Sequence, residues 1–228
     1  MFKRLYYIIS QRLYVFNKRN RNCEGKIYMF HEIASKDDTY AISYESFEVF
    51  LNYLLENRKI VDVETLVNEK NKDNVVLTFD DAYASIFEYA YPLLQKYQVP
   101  YYVFICNEYL DKDQYLNKDM LKQMLDDSRC IIGSHGYHHE LSRFMKDEVL
   151  LSELRNSKKE LEDIFSCNID SLAFPYGSMY AVSDENVRLA ENIFDYVFMT
   201  YNLPYNSEDG RILPRININE TTYVKEIE

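Results

Sequence analysis

The sequence predicts a single α/β domain built on a parallel sheet or barrel with helices on the outside. Predicted strands alternate with predicted helices along the whole chain, and this alternation is typical of parallel sheets. The 228 residues suit one domain with a sizeable core, and no internal repeat or linker interrupts them. A hydrophobic content of 47% with 28% charged residues is ordinary for a globular protein.

Each predicted strand is a short apolar run. The run 75–79 reads Val-Val-Leu-Thr-Phe and lacks regular polar alternation, as expected of a strand that is buried on both faces. The predicted strands, in order, are 26–30, 60–63, 75–79, 101–106, 130–132, 171–174 and 196–199, with 215–218 as a further candidate.

The predicted helices carry apolar stripes at helical spacing, and three of them begin after a capping residue. Ser43, Asn117 and Ser183 suit the N-cap position because their side chains can accept hydrogen bonds from the first turn. The predicted helices are 44–57, 64–68 as a single turn, 84–97, 118–127, 147–165 and 184–194. The side chains predicted to face inward are Phe47, Phe50, Leu51 and Leu54 in the first helix and Val149, Leu150, Leu154, Leu161 and Ile164 in the helix over 147–165.

Residues 1–25 are predicted to form a basic amphipathic helix ahead of a domain that spans 26–228. Residues 1–26 contain seven Lys or Arg residues and one Glu, whereas the formal net charge of the whole chain is −11. Apolar side chains recur at helical spacing at Phe2, Leu5, Ile9, Leu13 and Phe16. Residues 1–20 could therefore make peripheral contact with an anionic membrane. Packing on the domain's own surface, or in an oligomer contact, is the alternative.

Charge and composition argue against a nucleic-acid partner, a membrane-spanning segment and a signal peptide. The net charge of −11 argues against a nucleic-acid partner. No segment reaches the roughly 18 apolar residues that span a bilayer, and the first apolar run, 5–9, is too short for a signal-peptide core. We therefore expect a cytoplasmic protein, with peripheral contact at the inner face of the membrane as a variant. The cysteines form no C-x-x-C pair, so no zinc knuckle or redox motif is indicated, and Cys106 and Cys130 are predicted to be core thiols.

Acidic and imidazole side chains follow the ends of predicted strands. Asp80 and Asp81 follow the strand 75–79, and all four histidines, His31, His135, His138 and His139, also follow strand ends. In a parallel barrel the loops after the strands share one face, where active sites lie. The sequence therefore predicts that these groups converge.

Two histidines and an aspartate would leave coordination positions of a metal ion open, as a catalytic metal site requires. His135 and His139 are four residues apart, and Gly133 and Gly136 suggest a loop that turns both imidazoles toward one point. His138 is then expected near the site or in solvent. The alternatives are that the aspartates only cap the following helix and that the histidines are solvated loop residues.

Three motifs in this order resemble those of the polysaccharide deacetylases (carbohydrate esterase family four, the NodB-homology domain). They are Thr-Phe-Asp-Asp at 78–81, Ile-Gly-Ser-His-Gly-Tyr-His-His at 132–139 and Phe-Pro-Tyr-Gly at 174–177. Phe-His-Glu-Ile at 30–33 and Ile-Leu-Pro-Arg-Ile at 212–216 resemble the poly-N-acetylglucosamine deacetylase branch. The resemblance covers about residues 26–218 and implies a distorted (β/α) barrel of about seven parallel strands.

The resemblance also implies a role for individual residues. The implied ligands of a divalent metal are Asp81, His135 and His139, with zinc as the first candidate and cobalt, nickel, iron or manganese as alternatives. The implied catalytic groups are Asp80 as general base, His31 as the acid that protonates the leaving amine, and the backbone N–H of Tyr176 as an oxyanion donor.

Three departures from the family pattern put the rate and the fit of the substrate in question. Ala173 stands where the third motif normally has an arginine that orients the base, and Arg215 is the candidate replacement. Gly136 stands in place of a serine or threonine, which removes a loop hydrogen bond. Ala82 replaces a common glycine.

The function expected from this pattern is removal of N-acetyl groups from an amino sugar in a poly- or oligosaccharide or its precursor. Tyr137, Tyr176 and Tyr180 could stack on sugar rings. Because no export signal is predicted, a nucleotide-linked or lipid-linked sugar is one candidate substrate. An O-acetyl esterase, an amidase on a small amide and a non-catalytic carbohydrate-binding relative are the alternatives.

Overall fold

A computed structural model describes residues 22–34, 40–127, 129–209 and 211–227. The predicted helix over 1–20 lies outside the described residues, and the division into 1–25 and 26–228 stays a prediction. The strands of the described chain are β1 Lys26–Phe30, β2 Lys59–Ile60, β3 Asn74–Phe79, β4 Tyr101–Ile105, β5 Cys130–Ser134, β6 Ser171–Ala173, β7 Tyr196–Met199, β8 Ile212–Pro214 and β9 Ile216–Asn217.

The strands form a nearly closed parallel barrel. Their order around it is β8-β7-β6-β5-β4-β3-β1-β9, and every pairing between them is parallel. The strands β8 and β9 belong to one segment that pairs first with β7 and then with β1, so this segment closes the ring. Counted as one, it makes seven strand positions around the barrel, which confirms the fold class. The short strand β2 pairs with the start of β3.

Helices cover the outside of the barrel. They are α1 Tyr44–Asn57, α2 Val63–Glu69, α3 Tyr91–Tyr97, α4 Lys118–Leu125, α5 Asp147–Phe165, α6 Asp184–Ala190 and α7 Val224–Ile227. A π-helical turn, Ile86–Ala90, leads into α3. The three predicted caps are confirmed, since Ser43, Asn117 and Ser183 each accept a hydrogen bond from a backbone N–H in the first turn of their helix.

Alternation along the strands divides the core into two layers. Ile27, Val76 and Phe104 belong to a cluster inside the barrel. Their neighbours in sequence, such as Tyr28 and Leu77, pack with the helices in a larger outer cluster. The period of two residues along a strand produces this division, and it determines which side chains can reach a site at the mouth of the barrel.

Two predictions of local structure are wrong. The predicted strand 60–63 is shorter, because the chain leaves the sheet after Ile60 and Asp62 caps helix α2 at Val63. Val149, predicted to face inward, is 53% exposed. The other predicted positions in α5 include Leu150, Leu154 and Leu161, which are buried.

The predicted core thiols Cys106 and Cys130 are buried and free. Among the helices of the described residues, none combines the length and the apolar character that crossing a membrane requires.

Candidate active site

A cleft of about 310 Å³ lies where the carboxyl ends of several barrel strands meet. Six residues singled out in the sequence line it: His31, Asp80, Asp81, His135, His139 and Tyr176. The remaining lining residues are Met29, Tyr40, Tyr83, Thr200 and Asn217. The predicted convergence is therefore observed for both aspartates and for three of the four histidines, whereas His138 does not line the cleft.

Strand alternation explains why these side chains reach the cleft. In β1 the buried Ile27 faces the barrel interior, and two residues further along lie Met29 and then His31. In β3 the same register runs from Val76 through Thr78 to Asp80. The inner face of each of these two strands therefore ends in a side chain that lines the cleft.

Asp81, His135 and His139 bring three potential metal-binding atoms within 4.8 Å of one another. Asp81 Oδ1 lies 3.1 Å from His139 Nε2 and 3.5 Å from His135 Nε2. This carboxylate oxygen is buried and has no hydrogen-bond partner among the described residues. An oxygen and two imidazole nitrogens in this arrangement suit a divalent metal.

Hydrogen bonding and burial prepare His135 for such a role. Its Nδ1 lies 2.7 Å from the carbonyl oxygen of Ala173, so Nδ1 carries the proton and Nε2 is left with a lone pair. Burial lowers the pKa of His135 and keeps the ring neutral.

Asp81 is ionised in the same setting. Burial opposes its charge, but the contact with His139 and the neighbouring imidazoles prevail and lower the pKa of Asp81 to about 2. The donor set is therefore one carboxylate and at least one neutral imidazole, which fits a divalent cation.

The backbone around the cleft is strained. Asp81, Ala82, His139 and Tyr176 all have positive φ, between 58° and 65°, which L-residues rarely adopt. Such conformations persist only where the surrounding structure enforces them, and they cluster at functional sites. The positive φ of Ala82 also explains why glycine would suit this position.

The turn after Tyr176 requires glycine. Gly177 has a φ of +48°, and a Cβ atom there would lie 2.5 Å from Thr200 Oγ1 and 2.8 Å from Thr200 N. The carbonyl of Gly177 accepts a hydrogen bond from Thr200 N at 2.8 Å. This close approach joins the third motif to the end of β7 and fixes Tyr176 beside the cleft.

Arg215 forms a buried, bidentate ion pair with Asp80. The two distances are 2.5 Å from Nη1 to Oδ1 and 2.7 Å from Nη2 to Oδ2. Arg215 is 0% exposed, and Nη1 also donates to Thr78 Oγ1 at 3.2 Å. Burial works against the charge of Asp80, but Arg215 and the imidazoles of His135 and His31 lower its pKa, so the carboxylate is ionised.

Two aromatic rings hold the guanidinium in place from the barrel interior. The Cζ atom of Arg215 lies 5.5 Å from the ring centroid of Phe104 and 5.8 Å from that of Phe198. Gly133 leaves room for Phe104, since a Cβ atom at that position would lie 2.5 Å from the Phe104 ring. Arginine is thus supplied by the segment between β8 and β9, while the position in the third motif is taken by Ala173.

His31 lies at the edge of the cleft and contacts Tyr40. Their ring centroids are 5.7 Å apart in an edge-on arrangement, and Tyr40 is 61% exposed. The Nδ1 atom of His31 is buried without a hydrogen-bond partner in the described ranges. Sequence reasoning did not select Tyr40, because nothing around it in the sequence distinguishes it from the other tyrosines.

The three tyrosines expected to contact sugar have different positions. Tyr176 lines the cleft and is 56% exposed, with its ring centroid 4.9 Å from that of His139. Tyr137 instead donates its hydroxyl to Glu160, and Tyr180 packs against Phe144. His138 lies outside the donor set, with its Nδ1 2.8 Å from a carboxylate oxygen of Glu153.

A match to a known protein family accompanies this geometry. The profile described as polysaccharide deacetylase matches residues 67–197, which is more than half of the chain. The chain belongs to the polysaccharide deacetylase family. The enzyme class expected from the sequence, a carbohydrate deacetylase, is thereby confirmed. The matched range contains all three motifs, whereas His31 and Arg215 lie outside it.

Curated and solved relatives agree with this assignment. The chain is similar to the poly-β-1,6-N-acetyl-D-glucosamine N-deacetylase of Staphylococcus aureus, with 25% identity over 90% of this chain and 77% of the relative. Among solved structures, the fold is shared with the Streptococcus pyogenes deacetylase PplD, determined in complex with acetate. The TM-score is 0.79 at 20% identity, covering 90% of this chain and 98% of that one. IcaB from Ammonifex degensii also has a TM-score of 0.79, at 18% identity, covering 91% and 97% of the two chains.

Proposed function

We propose that this chain is a metal-dependent N-deacetylase that acts on acetylated amino sugars in a poly- or oligosaccharide or its precursor. The observation that carries the proposal is the placement of two different carboxylates in one cleft. Asp81 shares its buried oxygen with two imidazoles, while the adjacent Asp80 is paired with a buried arginine. Hydrolysis by activated water needs such a division between a metal ligand and a proton acceptor.

The proposed metal ligands are Asp81, His135 and His139. The buried Oδ1 of Asp81, which faces both imidazoles, and the lone pair on His135 Nε2 fit a divalent cation, with zinc as the first candidate. When bound, such an ion polarises a carbonyl group and makes water a usable nucleophile near neutral pH.

Asp80 is proposed as the general base. Its Oδ2 lies 4.0 Å from His135 Nε2 and therefore beside the proposed metal position. Arg215 keeps the carboxylate ionised and fixes its plane. Both oxygens accept from Arg215, but Oδ2, the oxygen near His135, has a second lone pair that can accept a proton from water. In this proposal Arg215 orients Asp80, because the uncharged Ala173 at the start of the third motif cannot do so.

His31 and Tyr176 complete the proposed machinery. An amine leaves readily only after protonation, so a separate acid is needed, and His31 lines the same cleft. The backbone N–H of Tyr176 is proposed to donate to the developing oxyanion. Tyr176 is held in its strained conformation next to Gly177, which supports a fixed direction for this N–H.

The proposed substrate is a β-linked polymer or oligomer of N-acetylglucosamine. Its support is the similarity to the Staphylococcus aureus enzyme, which is named for poly-β-1,6-N-acetyl-D-glucosamine. Exposed Tyr40 and Tyr176 at the cleft provide apolar faces on which a pyranose ring can stack.

The test measures metal content and acetate release together. Protein purified without chelator should contain one divalent ion per chain and release acetate from β-1,6-linked N-acetylglucosamine oligomers. Asp80→Asn should retain the metal but lose nearly all turnover, since general base catalysis contributes roughly 10²–10⁴-fold. Asp126→Asn, at an exposed position, is the matched control and should keep the full rate.

An O-acetylated sugar is included to separate amide from ester hydrolysis. Faster release from the ester would favour an O-acetyl esterase. If Asp80→Asn kept its full turnover, Asp80 would not be the general base. Absence of bound metal after reconstitution would refute the metal site.

A further inference from the structure

Helix α5 carries polar side chains on the flank that faces the histidine loop, residues 135–139. Glu153, Ser157 and Glu160 are spaced by four and three residues, so they lie on one side of the helix. Ser157 Oγ lies 2.7 Å from Ser134 Oγ, which anchors the start of the loop at the end of β5. The function described above assigns no role to these residues.

Glu153 binds the middle of the loop through both carboxylate oxygens. Oε1 accepts hydrogen bonds from the backbone N–H groups of Tyr137, at 2.9 Å, and His138, at 2.7 Å. Oε2 lies 2.8 Å from His138 Nδ1. The Glu153 side chain is only 11% exposed. Hydrogen bonds to a charged and largely buried acceptor are among the stronger ones in proteins.

The two bound N–H groups lie between two residues with unusual backbone conformations. Gly136 has a φ of +75° and His139 a φ of +58°. A histidine in the left-handed region needs surrounding structure to hold it there. In this loop the N–H of Glu108 holds the Tyr137 carbonyl at 3.0 Å, and the contacts with Glu153 fix the two N–H groups immediately before His139.

The other histidine of the site is held independently. The N–H of His135 donates to the carbonyl of Ile105 at 2.8 Å, and its Nδ1 contacts the carbonyl of Ala173. Loss of Glu153 should therefore release His139 while His135 stays in place.

We propose that Glu153 is a positioning residue that holds His139 at the metal site by fixing the backbone between Gly136 and His139. This inference rests on the proposed function only in taking Asp81, His135 and His139 as metal ligands. It also accounts for Gly136, where the sequence analysis expects a lost loop hydrogen bond: the carboxylate of α5 supplies hydrogen bonds to the loop from outside it.

The experiment measures the dissociation constant for Co²⁺ of the metal-free full chain, together with the visible absorption spectrum of the Co²⁺ form. Glu153→Leu keeps bulk and helix propensity but removes both acceptors. We expect its Co²⁺ affinity to fall roughly 10- to 100-fold, the range found when a group that orients a metal ligand is lost. The spectrum should change because one imidazole leaves the ion.

Two further variants separate positioning from charge and from stability. Glu160→Leu removes a carboxylate from the same flank of α5 that accepts a hydrogen bond from the Tyr137 hydroxyl and not from the loop backbone of the described chain, so its Co²⁺ affinity should be unchanged. Glu153→Gln keeps an oxygen that can accept both N–H groups and should regain most of the lost affinity. Circular dichroism verifies folding, and Glu153→Met replaces the leucine variant if that variant is unfolded.

The proposal is overturned if the folded Glu153 variant binds Co²⁺ as tightly as the unaltered chain. An equal loss of Co²⁺ affinity in Glu160→Leu would also overturn it, because the loss would then come from a change in overall charge or stability and not from the loop. Failure of the unaltered chain to bind Co²⁺ would instead refute the metal site itself, and with it the proposed function.

Discussion

Asp80 and Asp81 are adjacent in the chain, yet the fold gives them different partners. Asp80 ends the inward register of β3 and meets Arg215, whereas Asp81 turns away through a positive φ toward His135 and His139. Burial opposes both charges, yet both carboxyl pKa values are lowered, that of Asp80 mainly by the Arg215 guanidinium and that of Asp81 mainly by the contact with His139. The positive φ of Asp81 lets two neighbouring acids face different partners.

Removal of Arg215 should be costly to stability. Arg215→Met would leave the carboxylate of Asp80 buried without its partner, and loss of one member of a buried pair typically costs about 3–5 kcal/mol. Chemical denaturation should show this loss in the free energy of unfolding. Arg211→Met removes an exposed guanidinium from the same segment and should change that free energy little. If Arg215→Met lowered the free energy of unfolding no more than Arg211→Met, the ion pair with Asp80 would not stabilise the fold.

For single residues, the sequence predicts which side chains carry chemical groups better than it predicts which side chains are neighbours. The motif residues and even Arg215 were identifiable because their residue types and order resemble a family. Tyr40 and Glu153 were not, because a tyrosine before a helix and a glutamate on a helix surface are common. The roles proposed for them depend on neighbours that only the folded chain brings together, namely His31 for Tyr40 and the histidine loop for Glu153.

Among the elements, α5 was predicted with the correct bounds but with one side chain, Val149, on the wrong face. Its bounds, Asp147–Phe165, match the prediction, and Leu150, Leu154 and Leu161 are buried as expected. Val149 precedes Leu150 by one residue, which turns its side chain about 100° away from the buried line. An apolar side chain in the first turn therefore does not need to belong to the core.

Substitutions in α5 should reproduce this difference. Leu154→Ala should lower the free energy of unfolding by about 2–5 kcal/mol, because a buried leucine leaves a cavity. Val149→Ala should change it by no more than about 0.5 kcal/mol, since the side chain is mostly exposed and alanine favours the helix. Thermal or urea denaturation measures both, and similar losses for the two variants would contradict the assigned helix face.

The other elements were predictable wherever local chemistry decides the structure. Capping residues and apolar runs located most helices and strands because both act within a few residues. The strand predicted over 60–63 failed because Val61 and Val63 are buried for tertiary reasons, and the cap at Asp62 turns the chain into α2. Closure of the ring by β8 and β9 was beyond local patterns, because it depends on two partners that are distant in sequence.

For the whole molecule, metal binding should act as a stabilising ligand. A divalent ion at about 100 times its dissociation constant adds about 2.7 kcal/mol to the free energy of unfolding if it binds only the folded chain. For a chain of this size the melting temperature should then rise by about 5–10 °C and fall again with a chelator. His135→Ala should abolish this shift, and a shift that survives in that variant would place the ion elsewhere.

Closure of the barrel by its last segment also bears on how the protein refolds. Asp80 and Arg215 are 135 positions apart, and β1 pairs with β9 from near the other end of the described chain. Contacts between such distant segments form slowly, because the loop-closure entropy must be overcome first. The three proposed metal ligands, by contrast, lie within 81–139. We therefore expect the base to gain its partner late in refolding, when the ring closes, whereas the segments that carry the three proposed ligands are closer together in the chain.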